Sequence, residues 1–170
     1  MRRISLTVAL LLLAAAGLRA QSITATVAAG TLPFAVAVNP VTNTIYVANY
    51  DSGTVTVING ATNATTTVAA GTNPYFVAVN PVTNTIYVAN AASNNVTVIN
   101  GATNATTTVA AGTDPVAVAV NPVTNTIYVA NLGSNNVTVI NGATNATTTV
   151  AVGAAPVAVA AWVWCTRPKT

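Results

Sequence analysis

The sequence has very few charges, no histidine and a single cysteine. Charged residues make up 4% of the 170 residues, well below the quarter or so that is usual in soluble proteins. Between residues 21 and 160 there is no lysine or arginine, and Asp51 and Asp114 are the only acids. Because nucleic-acid binding depends on clustered basic residues, the sequence excludes nucleic acid as a partner.

The same scarcity bears on catalysis and on metal binding. General acid–base catalysis needs a titratable side chain beside the substrate, zinc sites need His or Cys ligands, and calcium sites need several carboxylates. Asp51 and Asp114 stand at different positions of their repeats, so they do not form a ring of ligands. We therefore expect a protein that is not an enzyme and binds no metal or cofactor. The lone Cys165 also excludes an intramolecular disulfide.

The first twenty residues have the pattern of a secretory signal peptide. Arg2 and Arg3 form a basic start, and an apolar run extends over residues 6–16. Cleavage after Ala20 or after Ala16 fits the small residues that follow, and the run is too short to span about 30 Å of hydrocarbon comfortably. We expect a secreted, periplasmic or cell-surface protein that is free of the membrane after cleavage.

The rest of the chain is an internal repeat of 41 residues. Complete units occupy residues 30–70, 71–111 and 112–152, and the last two differ at only six positions. The repeat region as a whole covers residues 21–161, and residues 162–170 form a tail that departs from the repeat. Such high internal identity predicts nearly identical structures for the units.

Each unit contains four short β-prone runs separated by turn residues. In the first unit these runs are 33–38, 44–48, 54–58 and 64–69. Asn59-Gly60 predicts a tight hairpin between the last two, because both residues tolerate positive φ. Four short antiparallel strands in about 40 residues are typical of one β-propeller blade. The predicted fold class is therefore all-β, with three complete propeller blades and flanking partial strands.

The repeat also resembles a known family. The units read NPVTNTIYVAN and, further on, VTVINGATN, with YVAN at 46–49, 87–90 and 128–131. These motifs resemble the YVTN family of β-propeller repeats over residues 23–159. The resemblance implies a propeller fold and an exported protein, often at the cell surface, and it implies little about chemistry.

Three blades are fewer than the four to eight of most propellers, so we expect an incomplete ring. Residues 22–28 align with the fourth strand of a blade, and residues 156–160 begin a first strand before the repeat is lost. Two interpretations stay open. Several chains associate through exposed blade faces to close a ring, or the chain is a truncated or frame-shifted fragment of a larger propeller protein.

The differences between the units indicate a candidate binding face. They gather in the loops that precede the first strand and that join the second strand to the third, which share one side of a blade. Loops held by a rigid scaffold commonly carry binding residues. The candidate residues are Phe34, Tyr50, Asp51, Tyr75, Phe76, Asp114 and Leu132.

The leading functional hypothesis is an exported, non-catalytic scaffold that binds a protein or a cell-wall ligand. A structural or adhesion module without a specific ligand is the second hypothesis, and a fragment derived from an enzyme is the third.

Overall fold

The computed structural model describes residues 25–161, which form three antiparallel sheets of four strands each. Each sheet corresponds to one repeat, and its strands pair in chain order. The strands of the first blade are β1 (Pro33–Asn39), β2 (Thr44–Asn49), β3 (Thr54–Asn59) and β4 (Thr65–Ala69). Those of the second blade are β5 (Pro74–Asn80), β6 (Thr85–Asn90), β7 (Asn95–Asn100) and β8 (Thr106–Ala110). Those of the third blade are β9 (Pro115–Asn121), β10 (Thr126–Asn131), β11 (Asn136–Asn141) and β12 (Thr147–Ala151).

The predicted fold class and strand pattern are confirmed. Residues 25–161 contain no helix, and hence no helix long and apolar enough to cross a membrane. The two flanking segments differ from expectation, because neither residues 25–28 nor residues 156–161 are strands. The expected signal peptide at 1–20, the start of the first flanking segment at 22–24 and the tail at 162–170 lie outside the described residues.

The hairpins between third and fourth strands exist, but their glycines do not have positive φ. The left-handed residues of these turns are Asn63, Asn104 and Asn145, each at φ 60°. The loop between β3 and β4 has five residues, 60–64, so Asn59-Gly60 does not form a two-residue turn. The reason we gave for glycine here is therefore wrong, although the hairpin itself was predicted correctly.

The core lies between blades rather than within one. Val77, Ile86 and Val88 of the second blade pack against Tyr46 and Val55 of the first. The junction between the second and third blades repeats this packing 41 residues later, with Val118 and Ile127 against Tyr87. Since a single sheet has two apolar faces to cover, each blade needs neighbours on both sides to bury them.

An asparagine bridge joins each pair of neighbouring blades. Asn39 Nδ2 donates to Asn84 Oδ1 at 2.8 Å, and Asn80 Nδ2 donates to Asn125 Oδ1 at the same distance. Asn39 and Asn80 are fully buried. Their Oδ1 atoms also accept from the backbone of the following turn, so one side chain fixes both a local turn and a junction.

Candidate functional site at the inner strands

The first strand of every blade starts with a β-bulge. Residues Phe34, Tyr75 and Val116 have no partner in the otherwise regular pairing of first and second strands. A bulge inserts one extra residue and redirects its side chain, and bulges are common beside functional sites. The bulged position is also one of the few at which the three units differ in sequence.

Two of the bulged residues belong to an aromatic cluster formed by Phe34, Tyr50 and Tyr75. The ring centroids of Phe34 and Tyr75 are 4.4 Å apart, and those of Phe34 and Tyr50 are 5.8 Å apart. Tyr50 and Tyr75 meet edge to face at 6.3 Å. Asn73 Nδ2 donates to the Tyr50 carbonyl at 3.3 Å and connects the loops that hold these rings. Half of the Phe34 side chain stays exposed, so the cluster presents an apolar aromatic surface.

This surface continues into a cavity of about 290 Å³ that we call the inner-strand cavity. Its lining is mostly apolar and comes from the start of each first strand and from the segment after β12. The lining residues are Phe34, Ala35, Tyr75, Phe76, Val116, Ala117, Val157, Ala158 and Val159. Three of the seven candidate residues, Phe34, Tyr75 and Phe76, therefore lie together here.

The sequence analysis did not include Val116 and Ala117 among the candidates, although both line the cavity. They align with Tyr75 and Phe76 at the repeat distance of 41 residues. That alignment was the signal that could have found them, and their small aliphatic side chains drew no attention by themselves.

Asp51 lies apart from the cavity, in a polar groove between the first and second blades. This interblade groove has a volume of about 370 Å³ and is lined by residues that include Asp51, Ser52, Asn73 and Ser93. Ser93 Oγ accepts from the Thr72 amide at 3.0 Å within the second repeat, whereas the Asn73 side chain donates to the Tyr50 carbonyl of the first. The groove thus combines one carboxylate with hydroxyl and amide groups.

Asp114 and Leu132 are neighbours at the next junction. The Leu132 amide donates to the Asp114 carbonyl at 2.8 Å, and the Asp114 amide donates to Asn94 Oδ1 at 2.9 Å. Asp114 has φ 55°, which Asp tolerates better than most residues. Neither residue lines the inner-strand cavity, so the predicted face divides into an aromatic part and two separate acidic positions.

Several polar atoms are buried at the junctions without a partner among the described residues. They are Tyr46 Oη, Tyr87 Oη, Asn49 Oδ1, Asn90 Oδ1 and Asn131 Oδ1. Burial raises the pKa of Tyr46 and of Tyr87 above the usual value for tyrosine, because the phenolate would lose its hydration. Both tyrosines belong to the apolar blade contacts, away from the aromatic cluster. In residues 25–161 no three His, Cys, Asp or Glu side chains come together as they would to hold a metal ion.

Residues 58–155 match the model of a family described as lactonase, 7-bladed β-propeller. No curated protein sequence matches the chain. Among solved structures, hydrazine synthase of Kuenenia stuttgartiensis has a TM-score of 0.71 at 25% identity, covering 81% of this chain and 42% of that one.

Two further solved structures share the fold at lower identity. A 6-phosphogluconolactonase candidate from Bacteroides fragilis has a TM-score of 0.63 at 22% identity, with 78% of this chain and 42% of that chain covered. A streptogramin B lyase has a TM-score of 0.66 at 13% identity, with coverages of 75% and 44%. The chain thus spans less than half the length of each of these structures.

The family match overturns the expectation that the protein is not an enzyme. The matched family is described by an enzymatic activity, and a lactonase candidate is among the structural neighbours. The scarcity of titratable residues misled us, because it describes three blades, whereas the matched family has seven. The match also supports a β-propeller family without singling out the YVTN repeat. The chain belongs to the seven-bladed β-propeller lactonase family.

Proposed function

We propose that this chain forms part of a lactonase-type propeller and binds a neutral lactone or sugar-derived ring at the inner-strand cavity. The observation that carries the proposal is the aromatic cluster opening beside this apolar cavity. A ring ester presents flat C–H faces that pack on aromatic side chains. The Tyr50 and Tyr75 hydroxyls are the nearby groups able to donate a hydrogen bond to an ester carbonyl.

The charge of the described residues favours a neutral ligand over a phosphorylated one. Asp51 and Asp114 are the only charged side chains in residues 25–161, and both are negative. Phosphate recognition usually relies on Arg or Lys, and residues 25–161 contain neither. The ligand that we propose for this chain therefore carries no phosphate, unlike the lactone in the name of the Bacteroides neighbour.

Titration with glucono-δ-lactone, followed by ligand-observed NMR, tests the proposal. We expect saturable binding that Phe34→Ala weakens about two- to tenfold, the effect of losing one aromatic contact. The control is Val41→Ala, since Val41 is 74% exposed and is not among the residues that line the cavity. A pH-stat assay on the same samples measures ring opening above the spontaneous rate.

Two results would contradict the proposal. One is the absence of saturable binding, and the other is an equal loss of binding in both variants. Tighter binding of the 6-phosphorylated lactone than of the neutral one would contradict the charge argument alone.

A second candidate function uses the same cluster to bind a sugar of a cell-wall or cell-surface polysaccharide. The exposed Phe34 ring favours it, because a flat aromatic surface suits a long chain as well as a small ring. This candidate accords with a YVTN-type exported protein and with the signal-like residues 1–20. N-terminal sequencing of the protein from its host, expected to begin at Gln21 or Gly17, tests the export, and intact Met1 would count against it.

A further inference from the structure

The first and third blades each expose a face that is buried everywhere else in the molecule. We call the outer face of the first blade the leading face. Its residues are Val36, Val38, Ile45, Val47 and Ile58. Val36 is 64% exposed, whereas its repeat equivalents Val77 and Val118 are 3% and 4% exposed. The equivalents of Ile45, Val47 and Ile58 in the other two blades are fully buried.

The outer face of the third blade, which we call the trailing face, is likewise exposed where its equivalents in the other blades are buried. Its residues are Tyr128, Val137, Val139 and Val150. Val150 is 50% exposed, whereas its equivalents Val68 and Val109 are 6% and 5% exposed. Tyr128 is half-buried, whereas Tyr46 and Tyr87 are fully buried.

The leading face and the trailing face are complementary, because equivalent faces pack against each other at both internal junctions. In both internal junctions a trailing face of one blade packs on a leading face of the next. Because the units are nearly identical in sequence, the trailing face of the third blade fits the leading face of the first as well as the internal pairs fit. No single chain can bring these two faces of its own first and third blades together, since the second blade lies between them.

In the described chain, the two outer faces also carry one unused donor and one unused acceptor of the asparagine bridges. Asn121 occupies the donor position of Asn39 and Asn80, yet its Nδ2 has no acceptor among the described residues. Asn43 occupies the acceptor position of Asn84 and Asn125 and is exposed. A second copy would place Asn43 opposite Asn121 and extend the series by one bridge.

We propose that the trailing face of one chain docks on the leading face of a second copy, head to tail, with a bridge from Asn121 to Asn43. The contact is heterologous, so each chain uses two different surfaces and the assembly can close into a ring. This inference concerns assembly and does not depend on the lactone proposal.

The segment after β12 must move for this contact to form. It leaves β12 through a turn like the one between the second and third blades. In this turn the Ala155 amide donates to Asn135 Oδ1 at 2.8 Å, as the Asp114 amide donates to Asn94 Oδ1. Val157–Val159 then line the inner-strand cavity beside the start of β9, where a following first strand would lie. The segment makes no strand pairing in the described chain, and Val157 is 69% exposed, so little holds it there.

Charge substitutions on each face, studied by sedimentation velocity of the full chain, test the proposal. Val38→Lys places a charge on the leading face, and Val150→Lys places one on the trailing face. Both valines are at least half exposed, so neither change should disturb folding. Val41→Lys is the control, because Val41 is even more exposed than Val38 and Val150 but belongs to a turn outside both faces.

We expect the unmodified chain and Val41→Lys to associate, and each face variant alone to associate about tenfold more weakly or worse, because a buried charge is costly. An equimolar mixture of Val38→Lys and Val150→Lys should restore a heterodimer, since each variant keeps the face that the other lacks. Failure of the mixture to associate would overturn the head-to-tail arrangement. So would a monomeric unmodified chain, or a loss caused by only one of the two substitutions, which would indicate a symmetric contact or a different partner.

Discussion

At the scale of single residues, the glycine of each NGATN turn is required for space rather than for backbone conformation. A Cβ at Gly101 would meet the Asn84 carbonyl oxygen at 2.7 Å and the Asn84 Oδ1 closer still. The Gly101 amide donates to that same carbonyl at 2.8 Å, so the two loops cannot separate without losing a hydrogen bond. The equivalent glycines Gly60 and Gly142 make the same approach to Asn43 and Asn125.

Gly101→Ala should therefore lower the free energy of unfolding by about 1–3 kcal/mol, the usual cost of forcing atoms into a packed site. Gly153→Ala is the matched control, because a Cβ there has no neighbour within 4 Å. Urea denaturation of both variants measures the difference. Equal stability of the two would show that the contact with Asn84 is not restrictive.

At the scale of the element, the asparagine that ends each first strand determines how blades join. Asn80 Oδ1 accepts from the Val82 amide at 3.0 Å within its own turn, while its Nδ2 bridges to Asn125 in the next blade. Asn121 keeps the turn contact, to the Val123 amide at 3.0 Å, and has no bridge to a following blade in the described chain. Comparing Asn80 with Asn121 therefore distinguishes the contribution of the turn hydrogen bond from that of the interblade bridge.

Asn80→Asp preserves the turn acceptor but replaces the bridging donor by a buried carboxylate oxygen. We expect a loss of about 2–3 kcal/mol or more in unfolding free energy, because a buried charge faces the Asn125 oxygen without a donor. Asn121→Asp should cost much less under conditions in which the chain is monomeric. Thermal unfolding of both variants provides the comparison, and a similar loss in each would mean that the turn, not the bridge, carries the effect.

At the scale of the whole molecule, stability comes from the two junctions between the three described blades, and each junction buries a tyrosine. Burial raises the pKa of Tyr46 and of Tyr87, so the folded state holds these phenolic protons more tightly than the unfolded state. The resulting stability is fully present below about pH 10, the unfolded value, and is lost as pH rises through the higher folded value.

We therefore expect the chain to lose stability steeply above about pH 10. In the double variant Tyr46→Phe, Tyr87→Phe, part of this slope should disappear, because neither position can ionise. Tyr87 Oη has no hydrogen-bond partner among the described residues, and the Thr44 side chain is the one group that lowers the Tyr46 pKa against burial, so this variant should be nearly as stable as the unmodified chain at pH 7. Urea midpoints at pH 7 and at pH 10.5 measure both effects, and an unchanged alkaline slope would contradict the assignment.

The repeat, the strands and the class of fold follow from the amino-acid sequence alone. Hydrophobic alternation and turn residues are local, and the 41-residue period copies them, so the strands could be located within about one residue of their ends. The sequence differences at Phe34 and Tyr75, which occupy the same position of the repeat, likewise indicated a candidate binding position.

The roles of those positions depend on how the strands and blades pack in three dimensions. Bulging at Phe34 and Tyr75 depends on pairing with a second strand, and the meeting of Phe34, Tyr50 and Tyr75 depends on how two blades pack. Asp51 and Asp114 seemed part of one face in the sequence, yet Asp51 lies in a groove apart from the cavity. The reason is that linear order fixes each blade internally, whereas the distances between blades follow from the packing of their faces.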